Sequence, residues 1–469
     1  MNNHIKDQKK VLTIASLTEF GERYSYYVIQ SLLIFFLIDN FHIAQAKSAA
    51  LVGTVLSMVY LSALVGGYIA DKLINYYRAA FLGAILMALG SLILALSTSE
   101  NQLYLGLSFI SISTGLIKSN MSSFIGRYYD QSNLSEGNRD FGFNIFYVGI
   151  NLGSFFALFL ASWLKDSYGF SAPFYSSLIV STFICLNLLI GFVIVKKYIA
   201  PISLKLTSII HICAVLVIYV AVVFIVLKHP DIANFSILIA CVICAWILIA
   251  SAQQRYWRNV LRATLFFMLS ILYWALYFQI FISILLFIDF AVAPDLFGIS
   301  LKPSQFLSIE SIGVLLLGTV MGKLWLMRER KGKPVHDINK FNIAFVVIAF
   351  VFILLWVGIY YTQAQVKVSA LIIAIAFVIL AISELSLSAI GLSMVTKLAP
   401  PKFVSLYMGI WLVTLGIGGK LAGFLSSFIH ITHNLAQTKA NMSNGLIIFI
   451  LLSILGIIVC TISRYLTRK

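Results

Sequence analysis

Three charged side chains, Glu19, Glu22 and Arg23, stand within five residues in the run EFGERYSYY. On a helix, Glu19 lies one turn before Arg23 and Glu22 directly precedes it, with Tyr26 and Tyr27 continuing up the same side. Two carboxylates beside one guanidinium leave one negative charge in excess. One proton can therefore be added without leaving the arginine unpaired, and the readiness to take it responds to whether another anion occupies Arg23. Coupling a proton to an anionic ligand needs this arrangement; the competing reading is a static ion cluster that packs its helix. Lys118 (GLIKSNMSS), Glu310 (FLSIESIG) and Glu384 (ISELSLSAIGLS) are further ionisable residues inside apolar runs. Lys118 lies about nine residues, roughly 13 Å, from the end of its run near Arg127, too deep for easy snorkelling. Glu384 has no local partner, only Ser383, Ser386 and Ser388 nearby, so a distant one, Lys118, is expected. Glu310 stands nearer the end of its run, where reaching the interface competes with function. For Lys420 snorkelling is the preferred reading, and Asp289 is read as solvated.

These charges need a reason because of the elements that carry them. Of 469 residues, 61% are apolar and only 11% are charged, against about 25% charged in a soluble domain. Mean hydropathy is +0.98. A soluble enzyme, a disordered chain and a fibre are excluded, and the apolar runs are long enough for membrane helices rather than barrel strands. A charge at mid-membrane costs at least about 2.5–3.5 kcal/mol. The periodicity predicts fourteen spans. Six lie at 11–38, 48–70, 77–97, 102–126, 140–164 and 173–195; two at 207–228 and 233–252; six at 264–290, 305–327, 341–362, 368–397, 403–428 and 444–465.

The net charge of +16 then reads as orientation rather than nucleic-acid binding. With both termini in the cytoplasm, 24 of the 33 Lys and Arg fall inside, six outside and three within spans, a strong positive-inside bias. The inside set includes Lys205, Arg255, Lys402, Arg468 and Lys469. No cleavable signal peptide is expected. The expected fold is an all-α membrane protein with two six-helix bundles, 1–200 and 255–469, joined by a segment 201–254 that carries two extra, peripheral helices with almost no polar side chains to place. Two pseudo-symmetric bundles suit a transporter with its substrate site between them. Arg23 and Lys118 come from the first half, Glu310 and Glu384 from the second. A zwitterion would fit such a cavity, its carboxylate toward the cations and its ammonium toward the carboxylates. Tyr26, Tyr27, Tyr60, Trp274 and Trp411 are the aromatic pocket candidates. The five cysteines all sit in apolar runs, and the Cys241–Cys244 spacing lacks the second pair or histidines of a metal site.

Seven motifs in chain order resemble the proton-coupled oligopeptide transporter family of the major facilitator superfamily, bacterial branch. EFGERYSYY resembles its E-x-x-E-R-F-x-Y-Y signature. VYLSALVGGYIADK, GLIKSNMSSFIGRYY, FNIFYVGINLGSF, WALYFQ, ELSLSAIGLSMVTKLAP and MGIWLVTLGIGGKLAG resemble its span 2, 4, 5, 7, 10 and 11 segments. The resemblance covers about 11–430 and implies roles residue by residue. Glu19 and Glu22 belong to proton coupling, with Glu22 the preferred carrier and Arg23 its partner. Arg23 and Lys118 receive the peptide carboxylate. Asn151 and Glu384, with Ser388 beside it, meet the backbone or amino terminus. Tyr26, Tyr27, Tyr60, Trp274 and Trp411 line side-chain pockets, and Lys118 with Glu384 forms a gate made and broken during transport. The implied activity is inward proton symport of di- and tripeptides across the bacterial inner membrane by a monomer. Protons are the coupling ion, with no other cofactor, no metal, no catalytic residue and no nucleic-acid partner.

Three departures stand out. Phe278 occupies the position where the family usually has a Glu, just before Gln279. Gln30 stands where it often has a cation, so that ion pair is lost as a unit. Glu310-Ser311 replaces an Asn-Pro, which makes Glu310 a candidate second proton site or a determinant favouring cationic peptides. Other readings are a related carrier of peptide-like drugs, nitrate or other organic anions, a proton-antiporting drug exporter, and a non-transporting peptide receptor. A membrane hydrolase finds no supporting motif.

Overall fold

The computed structural model describes residues 2–132, 134, 136–199, 206–252, 256–333, 335–400 and 403–467. Lys205, Arg255, Lys402, Arg468 and Lys469 lie outside them, as do the ends 201–205 and 253–254 of the expected linker. The side chain of Ser388 is likewise outside what is described.

Nearly everything described is helix. In chain order the helices are α1 (Asn2–Phe35), α2 (Gln45–Ile69), α3 (Tyr76–Ala95), α4 (Glu100–Ser132), α5 (Glu136–Tyr168), α6 (Ser171–Val195), α7 (Leu206–Lys228) and α8 (Pro230–Ser251). There follow α9 (Trp257–Tyr277), α10 (Ser283–Ala291), α11 (Pro303–Arg330), α12 (Asp337–Tyr361), α13 (Ala370–Leu398), α14 (Val404–Ser426) and α15 (Leu435–Thr467). Among the described residues, twelve segments, with α9 and α10 counted as one, are long and apolar enough to cross a membrane. The charge-bearing α1 and α4 bring the number to the expected fourteen. Several helices outrun their apolar cores: α4 ends only at Ser132 and α5 begins at Glu136, so most of the basic 127–139 connection is helical rather than loop. A two-stranded hairpin, Asp295–Leu296 with Ile299–Ser300, precedes α11; the sequence shows no alternation that announces it. Its tip residues Phe297 and Gly298 both have positive φ.

The helices fall into two compact units. One comprises Met1–Phe36 and Met58–Ile232, the other Leu37–Ser57 and Ala233–Lys469. The partition differs from a split at 200 and 255, and close backbone packing is the reason. A Cβ on Gly53 of α2 would come within 2.7 Å of the Gly419 carbonyl oxygen, and one on Gly423 within 2.5 Å of the Ala49 carbonyl oxygen. Small residues let membrane helices approach this closely, which binds the first half of α2 to α14. The inserted pair divides as well. Tyr219 of α7 donates to the Met58 carbonyl at 2.7 Å, in the first unit. Ser251 at the end of α8 hydrogen bonds Tyr407 of α14 at 2.7 Å, in the second. Both helices are otherwise peripheral, with only 17% and 12% of their apolar windows buried. The expectation that they place almost no polar groups overlooks these two hydroxyls, single polar atoms in long apolar runs.

In the first unit, α1 packs on α5 and α6, and α3 on α4 and α6. The α1–α5 contact is set by Gly149 and Gly153, one turn apart. A Cβ on Gly149 would approach the Ser16 carbonyl oxygen, and one on Gly153 would collide with that of Phe20. In the second unit the span predicted as continuous over 264–290 is broken. Phe278–Phe281 forms a 3₁₀ turn between α9 and α10. Gln279, fully buried, repairs the break: its amide nitrogen donates to the Ala275 and Ala422 carbonyls at 3.1 Å, and its oxygen accepts from Ser283 at 2.7 Å. Non-helical backbone at membrane depth is tolerated where protein groups satisfy it.

Candidate functional site

In the first unit, α1 delivers Glu19, Glu22 and Arg23 to an interior where all three are almost fully buried. Arg23 grips Glu22 in a two-pronged ion pair, Nε to Oε2 and a terminal nitrogen to Oε1. Glu19 is farther off, its Oε1 at 3.8 Å from Arg23 Nε, and its Oε2 finds no hydrogen-bond partner among the described residues. The sequence reading prefers Glu22 as proton carrier; in the observed geometry Glu22 is locked on the arginine and Glu19 has the oxygen to spare. The guanidinium also lies over two aromatic faces, 5.0 Å from the Tyr26 ring and 5.9 Å from that of Tyr27. Such faces stabilise a cation without consuming its hydrogen bonds. Lys118 on α4 sits 5.0 Å over the ring of Tyr60 on α2 and is half-buried. The Tyr26 hydroxyl is buried and makes no hydrogen bond among the described residues. Asn151 on α5 turns its amide back to the Tyr147 carbonyl, at 2.9 Å.

In the second unit, Glu310 on α11 and Glu384 on α13 lie against one and the same side chain. Joining them is a residue that the sequence reading passes over. The Tyr277 hydroxyl, at the end of α9, lies 3.2 Å from Glu310 Oε1 and 3.2 Å from Glu384 Oε2. Glu310 is 6% exposed, so it faces the interior rather than the interface that its position allowed. Tyr277 follows Tyr273 by one turn and stacks on it, with ring centroids 6.1 Å apart; that spacing was the available signal. Tyr273 is held by Ser383 at 3.0 Å. Trp274 packs against Tyr277 at 5.2 Å and Phe278 at 5.4 Å, and its indole nitrogen is buried without a hydrogen-bond partner among the described residues. Trp411 is buried and meets Phe341 at 6.4 Å.

The remaining sequence candidates are placed as follows. Gln30, in the first unit, and Phe278, in the second, are both buried. Lys420 does not simply snorkel: its ammonium donates to Thr54 Oγ1 at 2.8 Å, because the glycine contact brings α2 alongside α14. Cys241 is exposed and Cys244 half-buried, and no metal-holding cluster occurs among the described residues. An apolar cavity of about 740 Å³, lined by residues of α3, α4 and α7, contains none of the charged candidates.

The two units thus offer opposite chemistry. One holds a guanidinium and an ammonium over tyrosine rings, with two carboxylates beside the guanidinium. The other holds one buried and one half-buried carboxyl group near a tryptophan whose indole nitrogen has no hydrogen-bond partner among the described residues.

Comparison with known proteins identifies the family. The sequence profile described as POT family matches residues 77–442. The dipeptide and tripeptide permease A of Chromobacterium violaceum is 26% identical over 450 residues, 94% of this chain and 89% of the relative. The permease of the same name from Escherichia coli is 24% identical over 449 residues, 93% of this chain and 87% of the relative. Among solved structures, tetrameric PepTSo2 superposes with a TM-score of 0.88 at 20% identity, covering 98% of this chain and 99% of that one. A peptide transporter POT in complex with sulfate gives 0.83 at 24% identity, covering 98% and 95%.

Proposed function

The chain belongs to the POT family, and on that premise we propose that it carries di- and tripeptides into the cell together with protons. It is a multi-span membrane transporter with the major facilitator fold of its structural relatives. The observation that carries the reading is the separation of charge: cations Arg23 and Lys118 in one unit, carboxyls Glu310 and Glu384 in the other. A peptide zwitterion bears one group for each set. Its carboxylate suits the planar fork of Arg23 and the point charge of Lys118, and its ammonium suits Glu384 and Glu310. Relatives named dipeptide and tripeptide permease support the same substrate class.

In this reading a peptide carboxylate arriving at Arg23 displaces Glu22 from the guanidinium. A displaced, buried carboxylate is costly unless it gains a proton, so peptide and proton enter together. Glu19, whose spare oxygen can hold a proton, supplies the reserve beside it. Tyr26, Tyr27, Tyr60, Trp274 and Trp411 provide apolar and aromatic surface for variable side chains, with Asn151 and Ser388 for backbone groups. Lys118 and Glu384 are proposed to pair at one stage of the cycle and part at another. We place the protein in the bacterial inner membrane with both termini cytoplasmic, acting as a monomer without a cofactor, and we assign it no catalytic residue.

The test is uptake by reconstituted proteoliposomes over a panel of di- and tripeptides, with and without an inward proton gradient. The reading expects accumulation above equilibrium only with the gradient. Gradient-independent equilibration, or export, would reject it.

A further inference from the structure

Tyr277 has a single hydroxyl proton, yet its oxygen lies 3.2 Å from a carboxyl oxygen of Glu310 and 3.2 Å from one of Glu384. A hydroxyl gives one hydrogen bond and accepts others. It can donate to one carboxylate, but contact with the second is attractive only if that carboxyl carries a proton and donates back. Were both carboxyls ionised, one would face the tyrosine lone pairs with no hydrogen between them. The arrangement in which both contacts to the Tyr277 hydroxyl are attractive is one carboxylic acid, one tyrosine and one carboxylate in a chain.

The surroundings fit that count. Among the described residues, the titratable groups gathered here are Tyr277 from α9, Glu384 from α13 and, stacked on Tyr277, Tyr273. Asp289 on the neighbouring α10 is exposed. Neither Glu310 nor Glu384 forms an ion pair among the described residues, whereas Arg23 is matched by Glu22 in the other unit. The Tyr277 ring is packed against aromatic neighbours: it stacks on Tyr273 and lies edge-on to Trp274. That packing holds the hydroxyl oxygen in place between the two carboxyls.

We propose that Glu310, Tyr277 and Glu384 form a proton relay, in which one proton is shared by the two carboxyls and Tyr277 passes it between them. When Glu384 gives its proton to the tyrosine oxygen, the tyrosine gives its own to Glu310; one O–H bond forms for each that breaks, and the net transfer is one proton. Glu384 is then free, as a carboxylate, to take a substrate ammonium while Glu310 stores the proton. The site carries one net negative charge in either arrangement. An ammonium and a second proton compete for it, so release of one favours capture of the other. The ammonium half of this inference rests on the proposed peptide function; the shared proton does not.

Infrared difference spectroscopy of the purified wild-type protein, with no peptide present, tests the shared proton directly. A protonated-carboxylic-acid carbonyl band should be present at neutral pH. It should disappear in Glu310→Gln and shift in frequency in Tyr277→Phe, which keeps the ring and its stacking. A spectrum unchanged by both substitutions overturns the proposal, whatever the substrate proves to be. In proteoliposomes, Tyr277→Phe should lower proton-driven dipeptide accumulation about tenfold, as the loss of one hydrogen bond to a charged group implies, and displace the pH profile of uptake. Glu310→Gln should flatten that profile. A Tyr277→Phe protein with a wild-type rate and pH profile removes the relay, and with it the role of Glu310 as a proton store. If the wild type accumulates no peptide while the infrared bands behave as expected, the transport reading fails and the shared proton stands.

Discussion

Arg23 spends its fork on Glu22 and its face on Tyr26 and Tyr27, so any arriving carboxylate must compete with Glu22. Glu22→Gln should abolish proton-driven accumulation while leaving peptide counterflow, because nothing remains that must be neutralised on displacement. Full accumulation in that variant would remove Glu22 from coupling. Glu19→Gln should keep the Arg23–Glu22 pair and accumulate peptide with a weaker pH dependence, since only the reserve carboxyl is gone. Arg23→Ala and Lys118→Ala should weaken peptides with a free carboxylate roughly ten- to hundredfold, the worth of a charge-assisted hydrogen bond. Carboxyl-amidated peptides should lose much less. Equal losses for both classes, measured by competition binding, would contradict the assignment. At this scale the sequence was most informative for charges, because a charge inside a membrane span stands out against an apolar background. Tyr277 escaped notice for the opposite reason: one tyrosine among 22, with a hydroxyl whose partners come from two other helices.

The elements position these groups through contacts between backbones. Gly153 brings α5 against α1 beside Arg23: a Cβ there would strike the Phe20 carbonyl and stand 3.1 Å from Arg23 Cβ. Gly153→Val should therefore cost about 1–3 kcal/mol of stability, the usual range for overpacking, and should also weaken peptide binding by pushing α1 away. Thermal unfolding in detergent and a binding isotherm measure the two effects. Normal binding with only a lowered midpoint would separate the packing from the site. The broken α9–α10 segment is the element that sequence reasoning read least well. Its apolar pattern runs straight through the break, and the residue that repairs it, Gln279, does so with the Ala422 carbonyl of α14, far away in sequence. The α2–α14 contact was equally hidden. Glycines at 53, 419 and 423 are visible in the sequence, but not which of them meet.

For the whole molecule, the scarcity of charge sets the energetics of transport. A neutral zwitterionic peptide moving with one proton carries one positive charge inward. At a potential of 100 mV, negative inside, that adds about 2.3 kcal/mol, or about fiftyfold in accumulation. Proteoliposomes clamped with potassium and an ionophore should therefore accumulate a neutral dipeptide better when the interior is negative, even at equal pH on both sides. Indifference to the potential would mean that net charge does not cross with the peptide.

Most of the architecture was legible without coordinates. Span length, apolar composition and the one-sided placement of Lys and Arg are properties of consecutive residues, because a membrane imposes on each segment separately the need to bury its backbone and keep its cations out. The same locality revealed Glu19, Glu22, Arg23, Lys118, Glu310 and Glu384 as charges that required a purpose. Tertiary structure alone decided which of them pair. Local spacing put Glu19 and Glu22 equally within reach of Arg23, but packing locked Glu22 on the arginine and left Glu19 an oxygen to spare. Glu310 and Glu384, 74 positions apart, became one hydrogen-bonded cluster only because α9 inserts Tyr277 between them. Hydrogen bonds act over about 3 Å, and the chain brings such partners together only when its helices pack.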